Sequence, residues 1–175
     1  KVRRDNKLLF KGFFIKNILS NITISIILLF SVQILMVVAE DKVIHIYQDA
    51  DLSTHSESSK AIQLGIESAF AEIDNKINGY NVAFKYLDHR GNVVRSKRNY
   101  KKFLDDSNAL VIYSGLHSPP LIKNRTFINE NKALTLVPWA AGGPITRYPS
   151  KENWIFRLSV DDTQAGQVIV DHAMN

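Results

Sequence analysis

From Val43 onward, short and almost unbroken apolar runs alternate with longer amphipathic stretches, and this alternation restricts the fold more than any other feature. The apolar runs occupy 43–47, 82–87, 109–113, 133–137 and 154–158. Their β-branched and aromatic side chains suit strands buried on both faces. Between the first two, Ile62, Ile66, Ala69, Phe70, Ile73 and Ile77 recur at spacings of three and four. That spacing predicts a helix over 59–77, with Asn78-Gly79 as its left-handed stop. Residues 93–105 predict a basic surface helix whose inner contacts are Val94, Tyr100, Phe103 and Leu104. Pro119 opens a third helix, where its missing N–H costs nothing. Another helix begins at Asp162. Strands alternating with helices imply an α/β fold, a parallel sheet flanked by helices on both faces. Ligands of such sheets sit outside the carboxyl ends of the strands. Function is therefore sought in the loops 49–58, 88–92, 114–118 and 138–143.

Net charge is +5, which invites a nucleic-acid reading, but the distribution of that charge removes the invitation. Of the 22 basic residues six lie before Glu40, against one of the 17 acids, so sixteen of each remain in the body. A neutral body offers no broad phosphate-tracking surface, and no nucleic-acid partner is expected. The early basic residues end at Lys16, and no charge follows from Asn17 through Ala39. Basic start, apolar core and the small side chains around Val37-Val38-Ala39 read as a signal peptide over 1–39. An uncleaved membrane anchor is the rival, since 23 uncharged residues suffice to span a bilayer. With no cysteine in the chain, disulfides, thiolate metal sites and a lipid-modified cysteine at the signal junction are all excluded. The chain lacks an initial Met and stops within a helical stretch, so it reads as part of a longer protein.

Signatures of catalysis are missing. Gly115-Leu116-His117-Ser118-Pro119 lacks the glycine on both sides of the serine that a nucleophile elbow needs. Asp49-Ala50-Asp51 stands where a phosphate-binding glycine loop would follow the first strand, so nucleotide binding is not expected. The five histidines, at 45, 55, 89, 117 and 172, show no metal-ligand spacing, and neither a metal nor a cofactor is expected.

The order of several loop features resembles a known family. Glu72 to Gly79 (EIDNKING) closes a helix, a strand ends in Asp88, and Gly115 to Ser118 forms strand-Gly-x-x-Ser. Pro138 to Ala140 forms strand-Pro-x-Ala, and Phe156-Arg157 precedes Asp161-Asp162 and Gln164. This set resembles the periplasmic binding proteins of branched-chain amino-acid and amide ABC transporters, with the type I two-lobed fold. The resemblance covers 42–175 but only the first third to half of a full member. It implies an N-terminal ligand-binding lobe over 40–160, with 161–175 as the crossover and start of a second, truncated lobe. It further implies a monomeric periplasmic receptor, not an enzyme, that captures a small amino acid, amide or related carboxylate by hinge closure. Its partners would be that solute and an ABC permease in the inner membrane. The alternative is the sensory ectodomain of a membrane-anchored receptor with the same fold. A single lobe should bind solute weakly and expose apolar surface.

By resemblance, Ser118 grips the ligand carboxylate, assisted by the helix N-terminus it occupies. A serine there equally suits a simple helix cap. The second grip falls on the backbone carbonyl of Ala140 and on a family threonine whose place is taken here by Ala141. Gly142 and Gly143 either compensate with backbone N–H groups or only make the turn. Trp139 is placed to stack on an aromatic or cationic ligand, or to pack. His117 faces the same cleft, and Asp49, with Tyr47 and His55, lies where one side of the cleft closes.

Overall fold

The computed structural model describes residues 42–174, and the leader at 1–39 lies outside the described residues. Among the described residues, no helix is long and apolar enough to cross a membrane. Six strands form one sheet in the order β2-β3-β1-β4-β5-β6. They are β1 (Val43–Ala50), β2 (Lys76–Ile77), β3 (Tyr80–Asp88), β4 (Ala109–Ser114), β5 (Thr135–Val137) and β6 (Ile155–Arg157). All pairings are parallel except β2 with β3. Among the described residues four α-helices alternate with them: α1 (Ser56–Ala71), α2 (Val93–Leu104), α3 (Ser118–Glu130) and α4 (Asp162–Met174). The expected α/β fold with a largely parallel sheet is what forms.

Successive residues of a strand face opposite ways, and the two central strands use this to build two cores. Ile46 and Val111 point to one face, where Ile62, Ile66 and Phe70 of α1 cover them. Tyr47 and Ile112 point to the other, against Tyr100 and Phe103 of α2 and Leu121 and Ile128 of α3. Each fully buried side chain of this size contributes about 1.5–3 kcal/mol, so the second cluster, with eleven buried members, is the main source of stability. Asn92 starts α2 by accepting hydrogen bonds from the Val94 and Arg95 N–H groups.

Two sequence expectations need correction. The helix over 59–77 ends at Ala71, so Ile73 is half exposed and Ile77 sits in a strand. Asp74 and Asn75 adopt positive φ just past the helix, and Asn75 N–H closes back on Phe70 O at 2.9 Å. Asn78-Gly79 is not the helix stop. Its residues have φ of 49° and 81°, and Ile77 pairs with Tyr80 across them. An Asn-Gly pair with both φ values positive is the two-residue hairpin turn, and it adds the short β2 to the sheet edge. The second correction concerns α2. Val94 is exposed, while the polar Ser96 and Asn99 are buried. Their partner explains this, as described below.

Candidate functional site

The carboxyl ends of β1, β3, β4 and β5 lie along one edge of the sheet, and the loops that follow them are tied together by hydrogen bonds. Gly115 N–H donates to Asp49 O at 3.0 Å, and His89 N–H donates to Ala50 O at 2.9 Å. Leu52 N–H and Ser53 Oγ donate to the two carboxylate oxygens of Asp88, at 3.0 and 2.5 Å. Gly142 N–H donates to Ser118 Oγ at 3.1 Å, joining the loop after β5 to the start of α3. The result is a continuous rim rather than a set of separate turns. A hollow of about 340 Å³ opens on it, lined by Thr54, His55, Ser56, Glu57, Ser58 and Leu116.

Ser118 is the first residue of α3, with His117 at the N-cap making no side-chain cap. The simple capping reading of Ser118 is not what forms. Its hydroxyl accepts from Gly142 across 24 residues and keeps its own proton to donate. Glycine is required at 142 by this approach. A Cβ there would lie 2.9 Å from Ser118 Cβ and 3.0 Å from its Oγ.

The neighbouring positions have different fates. Ala140 is buried, and its carbonyl accepts from Ser159 Oγ at 3.0 Å. The carbonyls of Ala141 and Gly142 accept from Arg157 Nη1 at 3.2 and 2.9 Å, and Asp162 N–H also donates to Ala141 O. The loop 138–143 thus turns carbonyls inward to Arg157, whose other nitrogen holds Asp161 at 2.6 Å. Arg157, the backbone of Thr163 and Arg147 hold the Asp161 carboxyl down to about 2. Of the two glycines that follow Ala141, Gly142 has its N–H engaged by Ser118 Oγ. Trp139, in the same loop, is 47% exposed.

Asp49 departs from expectation. Its side chain is sealed beneath α2, accepting from Ser96 Oγ at 2.5 Å and Asn99 Nδ2 at 2.7 Å. Burial raises its pKa, against the lowering influence of nearby His89 and the two hydrogen bonds. It stitches β1 to α2 and does not face the rim. The reason is strand periodicity: Asp49 lies on the Tyr47 side of β1, toward α2.

Two residues later, Asp51 takes the rim position instead. Its Oδ1 accepts from the N–H groups of Ser53 and Thr54, at 3.2 and 2.8 Å. Its Oδ2 accepts from the Thr54 hydroxyl, and from His55 Nδ1 and His117 Nε2, each at 3.2 Å. Burial alone would raise its pKa, but these donors outweigh burial and hold it well below the carboxylate range. His89 lies behind them, buried, with its ring 5.9 Å from that of His117. Burial pushes its pKa down. Asp51 was not among the expected site residues. It lies one residue beyond the end of β1 at Ala50, so the strand alternation that buries Asp49 does not set its direction.

This α/β arrangement can be placed among known proteins. A family model described as periplasmic binding protein matches residues 50–175. The chain belongs to the periplasmic binding protein family. Solved structures agree on the fold. A solute binding protein of an ABC transporter from Rhodopseudomonas palustris BisB5, in complex with 3,4-dihydroxybenzoic acid, superposes with a TM-score of 0.65 at 18% identity. The match covers 75% of this chain and 36% of that one. A leucine binding protein from Thermotoga maritima gives 0.63 at 18% identity, over 72% and 35% of the two chains. A type 1 periplasmic binding protein from Bordetella pertussis gives 0.60 at 19%, over 69% and 35%. This periplasmic binding protein thus spans about a third of the length of its solved relatives. No curated protein matches it in sequence.

Proposed function

We propose that the chain supplies one wall of an extracytoplasmic solute-binding cleft, binds without catalysing a reaction, and holds a small carboxylate against Ser118. The observation that carries this reading is the Ser118–Gly142 junction. The hydroxyl has its acceptor side occupied and its proton free, at the start of a helix whose dipole favours an anion, although Pro119 and Pro120 supply no N–H there. His117 precedes it in the chain, and Trp139 is exposed in the loop that carries Gly142. Ala141 in the expected threonine position removes one hydroxyl, which argues against an ordinary branched-chain amino acid. The exposed indole favours a flat, aromatic carboxylate, and the benzoate-type ligand of one solved relative supports that preference.

In this reading 40–160 forms the first lobe, and 161–175 begins the crossover to a second. Closure of two lobes around the solute would present it to an inner-membrane ABC permease. The basic and apolar leader at 1–39 would deliver the protein to the periplasm as a monomer. A thermal-shift screen of the complete two-lobed protein against leucine, benzoate and hydroxybenzoates tests it, since a ligand of the native state raises its melting point. The expected outcome is a rise with a carboxylate that Ser118→Ala abolishes and Trp139→Ala reduces. A rise indifferent to both substitutions, or turnover of the bound solute, would count against the proposal.

A further inference from the structure

The geometry points to a site for a divalent d-block cation of the zinc class, built from Asp51, His55 and His117. The three residues offer ligand atoms that all lie within 4.8 Å of one another. Asp51 Oδ2 is 3.2 Å from the nearest nitrogen of each imidazole. A tetrahedral cation with bonds of about 2.0–2.1 Å spaces its ligand atoms roughly 3.3 Å apart, so two edges of the triangle already fit. The third closes by turning the His55 ring, whose side chain is 54% exposed and caps no helix.

Donor chemistry selects the cation. Two imidazoles and one carboxylate suit Zn²⁺, Ni²⁺ or Cu²⁺, whereas Ca²⁺ and Mg²⁺ need more oxygen ligands. The carboxylate is oriented in advance, because the Ser53 and Thr54 N–H groups hold Oδ1 and leave Oδ2 toward the histidines. Such outer support is what a ligating carboxylate requires. Loop 89–92 approaches without crowding: a Cβ at Gly91 would lie 3.8 Å from Asp51 Oδ2 and 4.0 Å from His117 Nε2. The hollow beside His55 and Leu116 is the entry path. On binding, each imidazole turns a lone pair to the metal and keeps its N–H on the opposite nitrogen. Three protein ligands leave the fourth position to water or to an oxygen of a solute.

No spacing in the sequence marks this set, because Asp51 and His117 are 66 residues apart and meet only through the β1–β4 pairing. The test is a titration of the full, tag-free chain with Zn²⁺ by calorimetry, and with Co²⁺ by its visible ligand-field bands, in solute-free buffer. One equivalent should bind. His55→Ala and His117→Gln should each weaken it by more than about tenfold, the range reached by losing outer-sphere support alone. His172→Ala, on the exposed face of α4, should leave it unchanged. Failure of the folded chain to take up Zn²⁺ at millimolar concentration, or uptake undiminished by His55→Ala, would overturn the assignment. His55 is exposed, so its variant decides the matter even if His117→Gln does not fold. The solute is absent throughout, so this result is separable from the solute-binding proposal.

Discussion

The two halves of the sheet are built to different standards. Strands β1 and β3 are eight and nine residues long, and β1 lies between β3 and β4 with helices covering both its faces. Strands β5 and β6 have three residues each, and α4, which follows them, has no buried residue. Val168, Ile169 and Val170 of that helix are all more than half exposed, as are Leu158 and Val160 just before it. The first half owes its order to its own core. The second shares that core through Val137, Ala140, Ile145 and Ile155, and adds directed polar contacts, chiefly Arg157 with Ala141, Gly142 and Asp161, before the exposed α4.

That contrast can be broken by substitution. Ile112→Ala, in the fully buried second core, should cost about 3–4 kcal/mol in denaturant unfolding. Asp49→Ala leaves Ser96 Oγ and Asn99 Nδ2 buried without their acceptor and should cost about 2–3 kcal/mol. Gly142→Ala forces a Cβ against Ser118 and should cost about 1–2 kcal/mol, with solute binding lost beyond what that destabilisation explains.

A smaller effect is expected from acid. Burial raises the pKa of Asp106, but the Tyr47 hydroxyl, the Asn108 N–H and His45 together lower it below its ordinary value. A depressed carboxyl stabilises the fold above about pH 4 and loses that contribution as pH falls through the folded pKa. Melting temperatures of the protein and of Asp106→Asn should therefore differ at neutral pH and converge near pH 3. At the other limit, burial, the Asp106 hydrogen bond and its charge raise Tyr47 to about 12, so its contribution is lost as pH climbs from about 10 toward 12. Val168→Ser should change stability by no more than about 0.5 kcal/mol. A cost there rivaling that of Ile112→Ala would erase the distinction between the two halves.

Much of the fold was legible because burial on both faces leaves an unbroken apolar run, and five such runs locate five of the six strands. The two-residue β2 was not, since Ile73 and Ile77 continue the helical spacing by coincidence while Asp74 and Asn75 break the backbone. The candidate site was legible only where the loops after β4 and β5 supply it. Ser118, Gly142 and Trp139 fall on the rim, as the strand ends implied. Asp49 was expected at the cleft because it ends the first strand, whereas Ser96 and Asn99 on a helix 47 and 50 residues away satisfy it in the interior. The Asp51–His55–His117 cluster depends on strand order, which no local pattern encodes.

Placing β1 between β3 and β4 also has a kinetic side. The first strand in the chain finds both its neighbours only after segments 30 to 70 residues downstream have docked on either flank. Closing such long loops slows folding relative to chains built from local pairings. The residues around Asp51 and Ser118 would then come together last, so a chain stalled part-way presents finished helices and no binding surface.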